Sequence, residues 1–219
     1  MRKVLITGAG TGLGRALALH YAKNDYNVIL TGRTEKKLLL VQKEIKARGG
    51  DAEILICDVT DPASVNEALK QLDHLDVLIN NAGIGIFGEL GSYTPEDIEQ
   101  IMNTNVKGTI LMTQRFSTLL KQSHGRVLNI ISTAGLRGKS NEAVYCASKF
   151  AVRGFTESLH KEWENKPMKA TAVYMGGMNT PFWDESDHVS DPASLKGPEG
   201  VAEQIFDEDD GRPEIFIDK

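Results

Sequence analysis

Tyr145 and Lys149 stand four residues apart in a stretch with helical patterning, which places their side chains on one helix face, one turn apart. A phenol titrates near pH 10, and a neighbouring ammonium lowers that by about 1 to 3 units by favouring the phenolate. The pair could therefore give or take a proton near neutral pH. Ser132 follows the β-branched run Val127–Ile131, and the carboxyl end of a strand is where a hydroxyl can face a ligand. The three residues could meet there as an acid–base site. Alone, YxxxK also arises as an incidental surface pair, and Ser132 also reads as a simple turn residue.

A second group reads as a phosphate cradle. Thr7-Gly8-Ala9-Gly10-Thr11-Gly12-Leu13-Gly14 sits directly behind the apolar run Val4-Leu5-Ile6 and runs into the amphipathic stretch carrying Ala16, Leu17, Leu19 and Tyr21. Glycines without Cβ atoms let a pyrophosphate approach main-chain N–H groups at the positive end of a helix. The reading is a dinucleotide site in the first βα unit, against an ordinary strand-to-helix turn.

These residues need a scaffold, and the chain supplies an alternating one. Short β-branched runs recur at Val4–Thr7, Val28–Thr31, Ile54–Cys57, Val77–Asn80, Val127–Ile131, Thr171–Tyr174 and Ile215–Ile217. Helical stretches lie between them: Glu35–Arg48, one opened by Asp61-Pro62, a long one from Thr94 to about Gln122, and Asn141–Glu164. That order predicts an α/β domain over residues 1–219, with a parallel sheet covered by helices on both faces. Pro181–Gly200 lacks periodicity and is expected to be a mobile loop at the carboxyl edge, where a substrate would enter.

Composition narrows the function. The net charge of −5 lacks the basic field that nucleic-acid binding needs. No run approaches the roughly 18 to 20 apolar residues of a membrane span, and no signal-peptide pattern opens the chain. Cys57 and Cys146 show no paired spacing, so reduced, buried thiols in a cytoplasmic protein are expected. The five histidines share no ligand spacing, so no metal site is expected. The run Asp207–Asp210 lacks an EF-hand pattern and reads as a solvated acidic turn.

The motifs together resemble the short-chain dehydrogenases/reductases. TGxxxGxG appears at Thr7–Gly14, NNAG at Asn80-Asn81-Ala82-Gly83, an asparagine in the long helix at Asn105, a serine thirteen residues before the tyrosine at Ser132, and YxxxK at Tyr145–Lys149. The resemblance covers residues 1 to about 182 and implies a Rossmann-type sheet of about seven strands in the order 3-2-1-4-5-6-7. It also implies hydride transfer between a nicotinamide and a carbonyl or secondary alcohol. In that family pattern Tyr145 exchanges a proton with the substrate oxygen, Ser132 holds that oxygen, Lys149 binds the nicotinamide ribose, and Asn105 seats a relay water.

The resemblance assigns Gly8, Thr11, Gly12, Leu13 and Gly14 to the pyrophosphate turn. Asn81, Ala82 and Gly83 form the wall beside the adenosine ribose, and Asp58 and Val59 lie at the adenine edge. Asp58 also reads as a helix N-cap. Met178 and Thr180 are expected beside the nicotinamide, in a loop where Met175 replaces the usual proline and leaves φ free. Arg33 stands after the second strand, where an acidic residue would repel a 2′-phosphate, so NADP(H) is favoured over NAD(H). A homodimer or homotetramer is expected. A noncatalytic dinucleotide-sensing protein on the same fold is the alternative function. An epimerase or dehydratase fits less well, because its TGxxGxxG spacing and large C-terminal lobe are missing.

Overall fold

In strand β1, Arg2–Thr7, the buried residues Val4 and Ile6 face one core while Leu5 between them faces another. This two-residue alternation is what a sheet covered on both sides requires. The structure, a computed structural model, describes residues 1–217. The other strands are β2 (Tyr26–Gly32), β3 (Asp51–Ile56), β4 (Val77–Asn80), β5 (Arg126–Ile130), β6 (Lys169–Tyr174) and β7 (Glu214–Phe216). They pair in parallel in the order β3-β2-β1-β4-β5-β6-β7. The Rossmann-type α/β sheet expected from the sequence is therefore present, with the order reversing between β1 and β4. Ligands bind at such a reversal, outside the carboxyl ends of the strands.

Helices α1 (Gly12–Lys23), α2 (Glu35–Ala47) and α7 (Pro198–Glu208) bury Leu17, Val41 and Ile205 in the core that contains Val4 and Ile6. Helices α3 (Pro62–Lys70), α5 (Gly108–Ser123) and α6 (Ala143–Trp163) bury Val65, Phe116 and Trp163 in the opposite core. Asp61 caps α3 by accepting from the Ala63 N–H at 2.9 Å. Thr94 and Asp97 form a reciprocal capping box on the short α4, Pro95–Ile101. Among the described residues no helix is long and apolar enough to cross a membrane.

Five expectations need correction. The long helix from Thr94 is not continuous, because a π-helical segment, Met102–Lys107, separates α4 from α5. Strand β3 begins earlier than Ile54, since pairing with β2 already starts at Asp51 opposite Asn27, and β7 ends one residue earlier than expected. The segment to Gly200 is not all loop: Gly197 and Pro198 start α7, whose Val201, Ala202 and Ile205 face the core. The acidic run is only partly solvated. The Asp209 side chain is 1% exposed and accepts from the Arg126 guanidinium and, at 2.6 Å, from the Tyr21 hydroxyl. That contact ties the end of α7 to β5 and α1.

Candidate active site

A cleft of about 490 Å³ runs along the carboxyl ends of the central strands. Its first wall is main chain. Gly8 and Gly12 have φ of 65° and 52°, the left-handed region that glycine enters without a Cβ penalty. A Cβ on Gly14 would lie 2.2 Å from the Gly8 oxygen, so this crossing of the turn with α1 admits only glycine. Thr11, at the N-cap of α1, spends no side-chain bond on the cap. The turn is also tied to the β4 end: Asn81 and Ala82 N–H groups donate to the Thr7 hydroxyl at 3.0 and 2.9 Å, and Asn81 Nδ2 donates to the Thr7 carbonyl at 2.9 Å. Bare glycine backbone at the start of a twelve-residue helix fits the diphosphate of a dinucleotide.

The second wall brings together a hydroxyl, a phenol and an ammonium. Ser132 lies just beyond β5 with φ of 91°, a strained conformation for a serine. Neighbouring backbone pins it there: Ile131 N–H donates to the Val173 oxygen and Thr133 N–H to the Met175 oxygen, both at 2.8 Å. The Ser132 hydroxyl accepts from the Ala134 N–H at 3.2 Å and stands near the Tyr145 phenol. Lys149 is 7% exposed, donates from Nζ to the Ile130 oxygen at 2.9 Å, and lies 5.6 Å from the centre of the Tyr145 ring.

The expected lowering of the phenol by Lys149 is not realised in the ligand-free protein. Burial pushes the Tyr145 phenol well above its usual value, and the nearby Ser132 hydroxyl opposes this only in part. The same burial pulls the Lys149 ammonium down to about 8. The ammonium points at a backbone carbonyl and at the ring face, and loss of water governs both groups. The phenol is thereby held in its neutral, proton-donating form.

Among the other expected site residues, Arg33 lines the cleft with Lys37 at the β2 end, as do Asn81, Ala82, Gly83, Leu13, Met178 and Thr180. Thr180 packs against Gly12, where a Cβ would come within 3.2 Å of it. Met175 is 3% exposed and hydrogen-bonded through its carbonyl, so the loop is held at the position where proline was expected.

Three residues lie off the cleft lining. Asp58 accepts from the Thr60 N–H and hydroxyl at 2.9 and 2.8 Å; burial would raise its pKa, but these donors and nearby Arg33 bring it below the usual range. Its neighbour Val59 turns into the core against Gly108. Asn105 sits in the π segment, 2% exposed; its amide accepts from Ile84 N–H and donates to Ile84 oxygen, both at 2.9 Å, and donates to Ser148 at 3.0 Å. It braces the cleft wall from behind. Among the described residues no group of three metal-ligating side chains occurs.

The family model for short chain dehydrogenases matches residues 2–190. The chain belongs to that family. A sepiapterin reductase of Chlorobaculum tepidum is 34% identical over 214 residues, covering 92% of this chain and 87% of that protein. A short-chain dehydrogenase of Burkholderia phymatum in complex with NAD superposes with a TM-score of 0.90 at 25% identity, covering 98% of this chain and 88% of the other. The closed form of a serine dehydrogenase with NADP+ gives 0.89 at 27% identity, covering 98% and 93%. This short-chain dehydrogenase is thus an oxidoreductase of the Rossmann type, similar both to an NAD complex and to an NADP+ complex.

The dehydrogenase's third wall was only partly legible in the sequence. Phe87 meets the Tyr145 ring edge-on at 5.4 Å between ring centres, and Phe182 tilts against it at 5.9 Å. Phe87 also stacks on Trp183 at 5.4 Å and on His188 at 4.6 Å. His188 Nε2 lies 3.0 Å from Glu142 Oε1. The adjacent aromatic pair Phe182-Trp183 reads in the sequence as candidate lining of a substrate cavity, and both line the cleft, whereas His188 had no role assigned. Glu142 carried a signal that could have found it, because it precedes Tyr145 by three residues and so shares its helix face.

Proposed function

We propose that the chain is an NADP(H)-dependent reductase of carbonyl compounds, acting reversibly on the matching secondary alcohols. The gathering of Ser132, a neutral Tyr145 and buried Lys149 on one wall of the cleft carries this reading. In it Gly8, Thr11, Gly12, Leu13 and Gly14 hold the diphosphate, and Arg33 takes a 2′-phosphate through charge-assisted hydrogen bonds. Asn81, Ala82 and Gly83 flank the adenosine ribose, Asp58 and Val59 border the adenine, and Met178, Thr180 and Lys149 meet the nicotinamide end. The nicotinamide, when bound, supplies or accepts the hydride.

The protein's own part is proton and position. Ser132 holds the substrate oxygen, and Tyr145 delivers a proton to it as the carbonyl becomes an alcohol. Lys149 supports the tyrosine from below, and Asn105 fixes the wall that carries Ile84. The segment 181–200 covers the substrate within a single domain, residues 1–219. Ile98, Ile110 and Phe150, exposed on α4, α5 and α6, support assembly of two or four copies, which light scattering in solution would count.

The test is a panel of ketones and aldehydes with NADPH and NADH, read at the nicotinamide absorbance. The expected result is turnover with NADPH preferred. Tight NADPH binding with no turnover of any carbonyl compound or alcohol would overturn the reading in favour of a dinucleotide sensor.

A further inference from the structure

The cleft is electrically divided. Arg33 and Lys37 stand at the cofactor end, whereas Glu142, Asp184 and Glu185 line the other end, with Lys139 beside them. Glu142 is the enclosed member of the acidic set, its side chain 9% exposed. It occupies the N-cap position of α6 yet makes no capping bond, although carboxylates at that position commonly accept a helix N–H. Its carboxylate is turned to the cleft instead, with His188 on one oxygen at 3.0 Å and Lys139 Nζ 3.8 Å from the other.

An aromatic wall stands beside it. Trp183 lines the cleft with its indole fixed by donation to the Met178 oxygen at 2.9 Å. Phe87 stacks behind the indole, and His188 lies nearly parallel to Phe87 at 17°. One histidine therefore joins the aromatic stack to the carboxylate. A rigid aromatic face and a poorly hydrated carboxylate together favour a group that is flat and donates N–H bonds.

Building on the carbonyl-reductase reading above, we infer that Glu142 and Trp183 form a specificity subsite for flat aromatic carbonyl compounds bearing an N–C–N edge with two N–H donors. An amidine or a 2-amino nitrogen heterocycle presents such an edge. The nitrogen edge pairs with Glu142 while the carbonyl oxygen lies at Tyr145, one helical turn along the same face. Carboxylate-bearing analogues are rejected, since their charge would enter beside Glu142, Asp184 and Glu185.

Two experiments test the subsite separately from the chemistry. Calorimetry of the NADP+-saturated wild-type protein with benzamidine and with benzoate needs neither turnover nor a variant. Benzamidine should bind at least about tenfold more tightly, and Glu142→Gln should remove about tenfold of that affinity, as expected for a charge-assisted bond. Reduction of para-acetylbenzamidine, acetophenone and para-acetylbenzoate with NADPH should rank in that order in kcat/KM, the spread collapsing toward one in Glu142→Gln. Equal binding of benzamidine and benzoate overturns the subsite whatever the turnover. Glu142-dependent benzamidine binding without reduction of any ketone keeps the subsite and overturns the reductase reading.

Discussion

The two ends of the cleft are built from different material. Near β1 and β2 the surface is main chain: glycines in the left-handed region, amides turned to the cradle, and a helix start whose cap side chain is left unbonded. Near β5 and β6 it is side chain: a strained serine, two phenylalanines, an indole, an imidazole and an enclosed carboxylate, drawn from segments far apart in sequence. Backbone recognition leaves little room for variation, because a Cβ added at Gly8 or Gly14 meets other backbone. Side-chain recognition can be altered residue by residue without disturbing the sheet. The first end suits a ligand shared across a family, and the second suits whatever this chain alone must select.

The residue where the ends meet should show the largest effect. Tyr145→Phe removes the only group proposed to pass a proton, so turnover should fall by about 10² to 10⁴, the usual range for a positioned general acid. Cofactor affinity should hardly change. A variant that keeps more than half of wild-type turnover under single-turnover conditions would take Tyr145 out of the mechanism and leave the two ends without a junction.

The next test bears on the side chain proposed to decide selectivity at the main-chain end. Arg33→Asp should weaken NADPH binding by more than about 10- to 150-fold, the value of one charge-assisted hydrogen bond, because it adds repulsion. Binding of NADH should hold or improve as the ribose hydroxyls gain an acceptor. The difference should shrink as salt is added, an exposed pair being screened over about 8 to 10 Å. Fluorescence titrations settle it, and an Arg33→Asp protein that still prefers NADPH would move selectivity to Thr34 or Lys37.

How much of this was legible in the sequence follows the same division. Glycine spacing encodes backbone geometry directly, so the cradle could be read ahead of the structure, helix spacing and a strand end brought Ser132, Tyr145 and Lys149 together, and the family resemblance implied the sheet order. Phe87 and His188 could not be read, since no local rule joins positions whose contact depends on where loops cross. The electrostatics were also misread. Spacing put an ammonium near a phenol, but burial, which decides both values, is a property of the folded cleft. Asp209 was missed for the same reason: its neighbours in the chain are solvated acids, whereas its partners Arg126 and Tyr21 come from other elements.

A matched pair of glycine replacements sharpens the contrast in rigidity. In Gly14→Ala the new methyl meets the Gly8 oxygen at 2.2 Å and Asn81 Nδ2 at 2.6 Å, so the cradle must move. Overpacking of about 1 to 3 kcal/mol should lower the melting midpoint by roughly 2 to 12 °C and weaken cofactor binding. In Gly177→Ala the contacts are Trp183 Cζ2 at 3.3 Å and Leu195 Cδ1 at 3.4 Å, close enough to ordinary contact that a shift of a few tenths of an ångström accommodates the methyl. Its melting midpoint should stay near that of the wild type. Equal losses from the two replacements, measured by calorimetric scanning, would mean that the two ends do not differ in stiffness.

The smallest effect is a pH dependence, and its sign tests whether burial governs the junction. Burial holds the Lys149 ammonium at about 8 in the free protein, whereas an unfolded chain keeps that proton to about pH 10.4. Between these values the unfolded state binds more protons, so Lys149's contribution to stability rises with pH over that window. Wild type should therefore gain on Lys149→Met in denaturant midpoint between pH 8 and pH 10. Activity should move the other way, because the charged form is the one proposed to support Tyr145. Since kcat/KM reports the free enzyme, it should fall about tenfold per unit above pH 8, while Tyr145, pushed well above its usual value, stays protonated throughout. The residual activity of Lys149→Met should lack that limb. A profile flat to pH 10 in wild type would show that the charge on Lys149 is not what Tyr145 needs, leaving the lysine a role in holding the Ile130 carbonyl alone.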